Sequence, residues 1–108
     1  MYKVNGTTIT MTRGDTARIN VKILMDGEEY TPEQGDVIRF AAKKDYADDE
    51  TAILKIVPND TMILTIEPAD TKQLDFGYYK YDMQITFADG DVYTFIAKAT
   101  LVIDKEVD

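Results

Sequence analysis

From Gly77 to Phe87 the chain alternates so regularly that one backbone geometry accounts for it. Tyr79, Tyr81, Met83, Ile85 and Phe87 fall on one side of an extended strand, and Tyr78, Lys80, Asp82, Gln84 and Thr86 fall on the other. A strand with one apolar face must bury that face against a second layer, and the same period of two recurs through the sequence. Thr8, Ile9, Thr10, Met11 and Thr12 alternate threonine with large apolar residues. Ala17, Ile19, Val21 and Ile23 share a face opposite Arg18, Asn20 and Lys22, and Ile38, Phe40 and Ala42 form the inward set of a strand from Val37 to Lys43, with Arg39 and Lys43 outward. Residues 52–57, 61–67 and 92–103 read as further strands.

Between these runs lies turn chemistry. Asp26-Gly27 and Ala88-Asp89-Gly90-Asp91 mark hairpins, with Tyr30 closing the first, and Pro58-Asn59-Asp60 is a further turn. Thr31-Pro32-Glu33-Gln34-Gly35 has the order of a single helical turn: Thr31 as cap, Pro32 at the first position, Gln34 reaching back and Gly35 as terminator. Residues 68–74 predict one or two more helical turns. No long helical pattern competes. The expected fold is therefore all-β: an immunoglobulin-like antiparallel β-sandwich of about seven strands, spaced about ten residues apart, with one or two short helical turns in the connections. The 108 residues form one domain, residues 1–108, long enough to fold without disulfides or a structural metal.

The stretch Asp75-Phe76-Gly77-Tyr78-Tyr79-Lys80-Tyr81 sharpens that expectation. In an antibody domain a tyrosine two residues before the second cysteine bonds backbone a few residues upstream, fixing the crossover between sheets. Here Tyr79 holds the tyrosine position and Tyr81 the cysteine position, where aromatic volume replaces the missing disulfide. The alternative is a tyrosine-rich strand in another antiparallel sandwich.

Composition narrows the chemistry. The chain contains no cysteine, histidine, serine or tryptophan, which removes thiolate zinc sites, the commonest general base and the commonest hydroxyl nucleophile. Twelve basic residues against 20 acidic ones, a net charge of −8, repel phosphate backbones, so nucleic acid is not the expected partner. The longest aliphatic runs are triplets such as Leu101-Val102-Ile103, far short of the ~20 apolar residues of a membrane helix, and the first residues carry no signal-peptide pattern. The reading is of a non-enzyme that needs no cofactor and no metal.

Four functional readings suggest themselves. Arg13-Gly14-Asp15 spells an adhesive tripeptide, but Gly14 at a positive φ and Asp15 bonding local amides account for it as a turn. Asp45, Asp48, Asp49 and Glu50 are hard oxygen donors suited to calcium, yet they match no known ligand spacing and read as a solvated loop. Paired carboxylates for glycoside hydrolysis have no cleft marked around them. Tyr78, pointing away from the core, and Tyr46, on the acidic loop, form a candidate interaction surface, against the alternative that they pack under a loop or in a subunit contact.

Four segments taken together resemble a known family. Ile9-Thr10-Met11-Thr12-Arg13-Gly14-Asp15-Thr16, Gly35-Asp36-Val37-Ile38-Arg39-Phe40, Leu64-Thr65-Ile66-Glu67-Pro68-Ala69-Asp70-Thr71 and Gly77-Tyr78-Tyr79-Lys80-Tyr81-Asp82 occur in an order and spacing similar to the immunoglobulin-like domain near the N terminus of phage baseplate upper proteins, and to small prophage proteins related to it. The resemblance spans nearly the whole chain. It implies a structural domain that helps a tail or baseplate component assemble, contacting other phage particle proteins or further copies of itself, in the virion or in the bacterial cytoplasm before assembly. It carries over no catalytic residues. Longer members continue into a coiled coil and a receptor-binding head, and this sequence stops after the sandwich, so assembly rather than receptor binding is expected. The first threonine strand and the last long strand are the expected open edges for strand addition. The competing class is a carbohydrate-binding or adhesion module of a bacterial surface with an aromatic platform. An enzyme accessory domain is a third.

Overall fold

The computed structural model describes residues 2–44 and 50–106. Among them the chain forms β1 (Tyr2–Asn5), β2 (Thr8–Thr12), β3 (Ala17–Asn20), β4 (Ile23–Met25), β5 (Glu28–Tyr30), β6 (Val37–Lys43), β7 (Ile53–Val57), β8 (Ile63–Ile66), a single helical turn α1 (Pro68–Thr71), β9 (Gly77–Thr86) and β10 (Val92–Asp104). The protein is mostly β, as the alternation predicts.

The assembly of these strands departs from the expected antiparallel sandwich. Six of them make one mixed sheet in the order β1-β2-β10-β9-β6-β7, curved into a half-barrel, while β3–β8 and β4–β5 are separate two-stranded sheets. All neighbours are antiparallel except β2 and β10, which run parallel through Leu101↔Ile9 to Asp104↔Thr12. Ten strands replace the expected seven, partly because the run from Ala17 to Ile23 is broken. Asn20 is the last residue paired with β8, the Val21 N–H donates to the Met62 carbonyl at 2.8 Å, and from Ile23 onward the partner is β5 across a turn in which Asp26 (φ 54°) and Gly27 (φ 81°) are both left-handed.

The helical turn expected over residues 31–35 is also absent. The Asp36 carboxylate takes the Glu33 N–H directly at 2.9 Å, and the Asp36 N–H returns to the Glu33 carbonyl, so the segment closes as a turn rather than a helix. By contrast, residues 68–71 do form a helical turn, with the Asp70 carboxylate accepting the Glu67 N–H at 2.7 Å.

Of the two expected edge strands, β2 lies inside the sheet, whereas β10 does so only over residues 101–104. Tyr2–Asn5 folds back across Gly6-Thr7 and pairs with β2, which is therefore flanked by β1 and β10. β10 is covered by β9 along its length and by β2 over its last residues. The outermost strands are β1 and β7, and the first half of β10 has only β9 beside it. That half is irregular: the register shifts between Thr94 and Ile96 and again between Ile96 and Ala99, and Lys98 sits at φ 59°. Bulges of this kind twist an edge away from further pairing.

Alternation places the core where the sequence puts it. Tyr79, Tyr81, Met83 and Ile85 of β9 are buried together with Ile38, Phe40 and Ala42 of β6, Ile9 and Met11 of β2, Leu101 and Ile103 of β10, and Leu64 and Ile66 of β8, while Phe87 is half-buried. Phe40 has no exposed surface and stacks obliquely on Tyr81, with ring centroids 5.0 Å apart. Phe40→Ala leaves a ring-sized void at that contact and is expected to destabilise the protein by ~3–5 kcal/mol. Urea denaturation monitored by circular dichroism checks this, and a loss below ~1 kcal/mol would show that the Phe40 site collapses or is not packed as described.

Candidate interaction surface

The polar side chains singled out in the sequence fasten loops to strands. The Tyr79 hydroxyl donates to the Asp75 carbonyl at 2.7 Å, across the connection that leads from β8 in the small sheet to β9 in the large one. Tyr81 donates to the Thr7 carbonyl, pinning the β1–β2 turn to the middle of the sheet, and its burial pushes the phenol up to about 12. Burial raises Tyr79 as well. The Asp75 carboxylate reaches Lys44 at 3.5 Å on the surface, and Gly77 begins β9 at φ 137°.

Arg13-Gly14-Asp15 is a turn whose arginine faces the protein. Its guanidinium donates to Glu106 Oε1 from Nε at 2.9 Å and from Nη2 at 2.6 Å, donates to the Leu74 carbonyl at 2.9 Å, and lies 5.7 Å from the Phe76 ring centre. The Arg13 bond lowers the Glu106 carboxyl below its usual range, and Glu106 raises the guanidinium in return. Gly14, at φ 85°, gives its N–H to Thr71 Oγ1 at 2.8 Å, and the Asp15 N–H donates to the Thr12 carbonyl. The three residues thus join the β2–β3 turn, α1 and the segment after β10.

Asp36 is the tie that sequence reasoning missed. Nearly buried, its carboxylate accepts the Tyr30 hydroxyl at 2.7 Å, the Glu33 N–H at 2.9 Å and the Ala88 N–H at 3.1 Å, and its carbonyl accepts Asn59 Nδ2 at 2.8 Å. The Tyr30 bond, followed by the backbone bond at Glu33, holds its carboxyl below the usual range, and the same contact pushes Tyr30 up to about 12. Its partners come from three separate turns, so no local spacing announces it. The only hint is an acid placed directly before an apolar strand.

The outward face of the six-stranded sheet is what this framework presents. Tyr78, 73% exposed, lies on that face beside Val102, with Thr10 and Lys3 continuing the row. Further along, Arg39 stands between Ile56 and Gln84, Ala41 between Leu54 and Asp82, and Lys43 directly across from Lys80. Leu54 and Ile56 are more than half exposed. Tyr46, Asp45, Asp48 and Asp49 lie outside the described residues. Glu50 lines a shallow hollow with Lys44, Asp75 and Tyr79. Among the described residues no three acids stand close enough to hold a metal ion. An apolar recess of about 90 Å³ opens between Ile9, Ile19, Leu64, Met83 and Ile96. Compared with known proteins, the chain matches no family model, no curated protein and no solved structure.

Two outcomes test these ties. Tyr79→Phe keeps the ring and removes one hydrogen bond, and is expected to cost ~1 kcal/mol in chemical denaturation; no change would remove the hydroxyl from the account. Because the Asp36 carboxyl titrates lower in the folded chain than in the unfolded one, it contributes stability above its ordinary value of 3.8 that is lost as pH falls through the folded value. Asp36→Asn is therefore expected to be less stable than the parent at pH 7 but to lose less on acidification from pH 5 to 2, and parallel acid-denaturation curves would contradict this.

Proposed function

We propose that the chain is a non-enzymatic structural domain of a phage or prophage tail or baseplate component, acting through contacts with other particle proteins or with itself. The observation that carries the reading is where the side chains go. Among the described residues, each group whose ionisation is shifted, Arg13, Tyr30, Asp36, Tyr79, Tyr81 and Glu106, bonds backbone or another residue of its own chain, and exposed Tyr78, Leu54 and Ile56 stand on the outward face of the large sheet. Loops tied to strands and a broad outward face suit a mount. The phage assignment itself rests on the resemblance of the four segments from Ile9 to Asp82.

The immunoglobulin-like sandwich belongs to the same proposal. It is supported by β3 and β8 packing a second layer over the large sheet, by the chain crossing between layers from β7 to β8 and from β8 to β9, and by the tyrosine hydroxyl tied upstream at the second of these crossings. A second reading has one observation in its favour: Tyr78 and Phe76 are both more than half exposed, as an aromatic platform for sugar rings requires.

Immunogold labelling of particles released from the source strain, with antiserum to this chain, is expected to mark the tail end. Absence of label from purified particles, with the chain left in the soluble fraction, would overturn the proposal. Glycan-array binding that disappears in Tyr78→Ala would replace it with the adhesion module.

A further inference from the structure

Among the described residues, charge is distributed unevenly over the surface. At the in-register outward positions of the six-stranded sheet, Lys3, Arg39, Lys43 and Lys80 stand against Asp82 and Asp104, four bases to two acids, in a chain that carries 20 acids and 12 bases. Lys43 and Lys80 are direct cross-strand neighbours. A depression of about 100 Å³ lies between them, with Ala41 and Asp82 completing its lining. Beside it, Leu54 and Ile56 add exposed apolar surface flanking Ala41 and Arg39. The charged rows of β6 and β9 are thus bordered, at the β7 edge of the sheet, by exposed apolar side chains.

The complementary surface is on the same chain. Four connections are knit together at one end of the molecule. The Tyr30 ring meets Phe87 edge-on at 5.5 Å, Asp36 binds the Ala88 N–H, Asn59 binds the Asp36 carbonyl, and Tyr93 reaches the Leu24 carbonyl at 3.4 Å. These contacts gather Asp26, Glu28, Glu29, Glu33, Asp60, Asp89 and Asp91, all exposed, at that end. The one base on these turns and strands, Lys22, is paired with Glu29 at 3.7 Å. Leu24 is exposed among the acids.

We infer that the outer face of the six-stranded sheet docks the acidic end of a second copy of this chain. Copies carrying a net charge of −8 repel one another in most orientations, and this one sets a basic face against an acidic end. The two surfaces differ, so the contact is head-to-face, closing into a ring or extending as a row according to the rotation between copies. The inference deepens the assembly reading, from which it takes only that the partner is a protein.

Sedimentation velocity of the full chain over a wide concentration range tests it. At 50 mM salt the average mass is expected to rise with concentration, and at 500 mM salt the rise should be lost, because exposed charge attraction is screened. Arg39→Glu with Lys80→Glu, and separately Asp89→Lys with Asp91→Lys, should each weaken self-association at least tenfold, and an equimolar mixture of the two variants should associate again. If either charge reversal impairs folding by circular dichroism, Arg39→Gln with Lys80→Gln takes its place, with the same loss expected. A strict monomer at low salt, or association indifferent to salt and to both reversals, would overturn the inference. Label on purified particles would leave the assembly role standing in either case, with a foreign acidic protein as the occupant to seek.

Discussion

Strand β9 is the element on which the rest of the structure depends. It is paired with β10 from Gly77 to Thr86 on one side and with β6 from Lys80 to Thr86 on the other, so its register sets that of the sheet's centre. Its inward residues are large and its outward residues are polar or charged, and a slip of one position would carry Tyr78, Lys80 and Asp82 into the core. No compensating pattern in β6 or β10 would accept such a slip, because Phe40 and Leu101 already occupy the facing inward positions. The apolar layer built on this strand drives folding through the area it removes from water.

Polar groups then determine how the connections lie on that layer. Among the described residues every buried side-chain nitrogen and oxygen has a hydrogen-bond partner, and the partners are largely backbone groups of loops. Tyr79, Tyr81 and Asp36 each hold a turn that no regular ladder reaches. Arg13 and Glu106 do the same between the β2–β3 turn and the segment after β10, with both side chains mostly covered. Such bonds contribute modestly when made and cost more when one partner is removed, which restrains the loops without adding much net stability.

The parts of this arrangement legible in the sequence are those decided within a few residues. Alternation located β6, β9 and β10 and assigned the inward faces of β6 and β9, Asp26-Gly27 located a hairpin, and Pro68 located α1. Three features were decided by partners distant in the chain. β1 exists because Gly6 turns it onto β2, the parallel pairing of β2 with β10 joins the two ends of the sequence, and β3 stops where β8 stops. Thr31 to Gly35 carries local helix chemistry that loses to a carboxylate one residue beyond it. On the outward face, the exposure of Tyr78 followed from its parity, whereas the approach of Lys43 to Lys80 required the register between β6 and β9.

A sheet that presents a mixed basic and apolar face, with seven exposed acids on the turns and short strands at one end, follows from these constraints provided β9 is the last element to open. Residue-resolved native-state hydrogen exchange measures that directly. The account predicts that the most protected amides of β9 and of the β6 and β10 residues bonded to it exchange only through global unfolding, while β1 and the β4–β5 hairpin open at lower free energy. Protection in the middle of β9 no greater than in β1 would contradict the account.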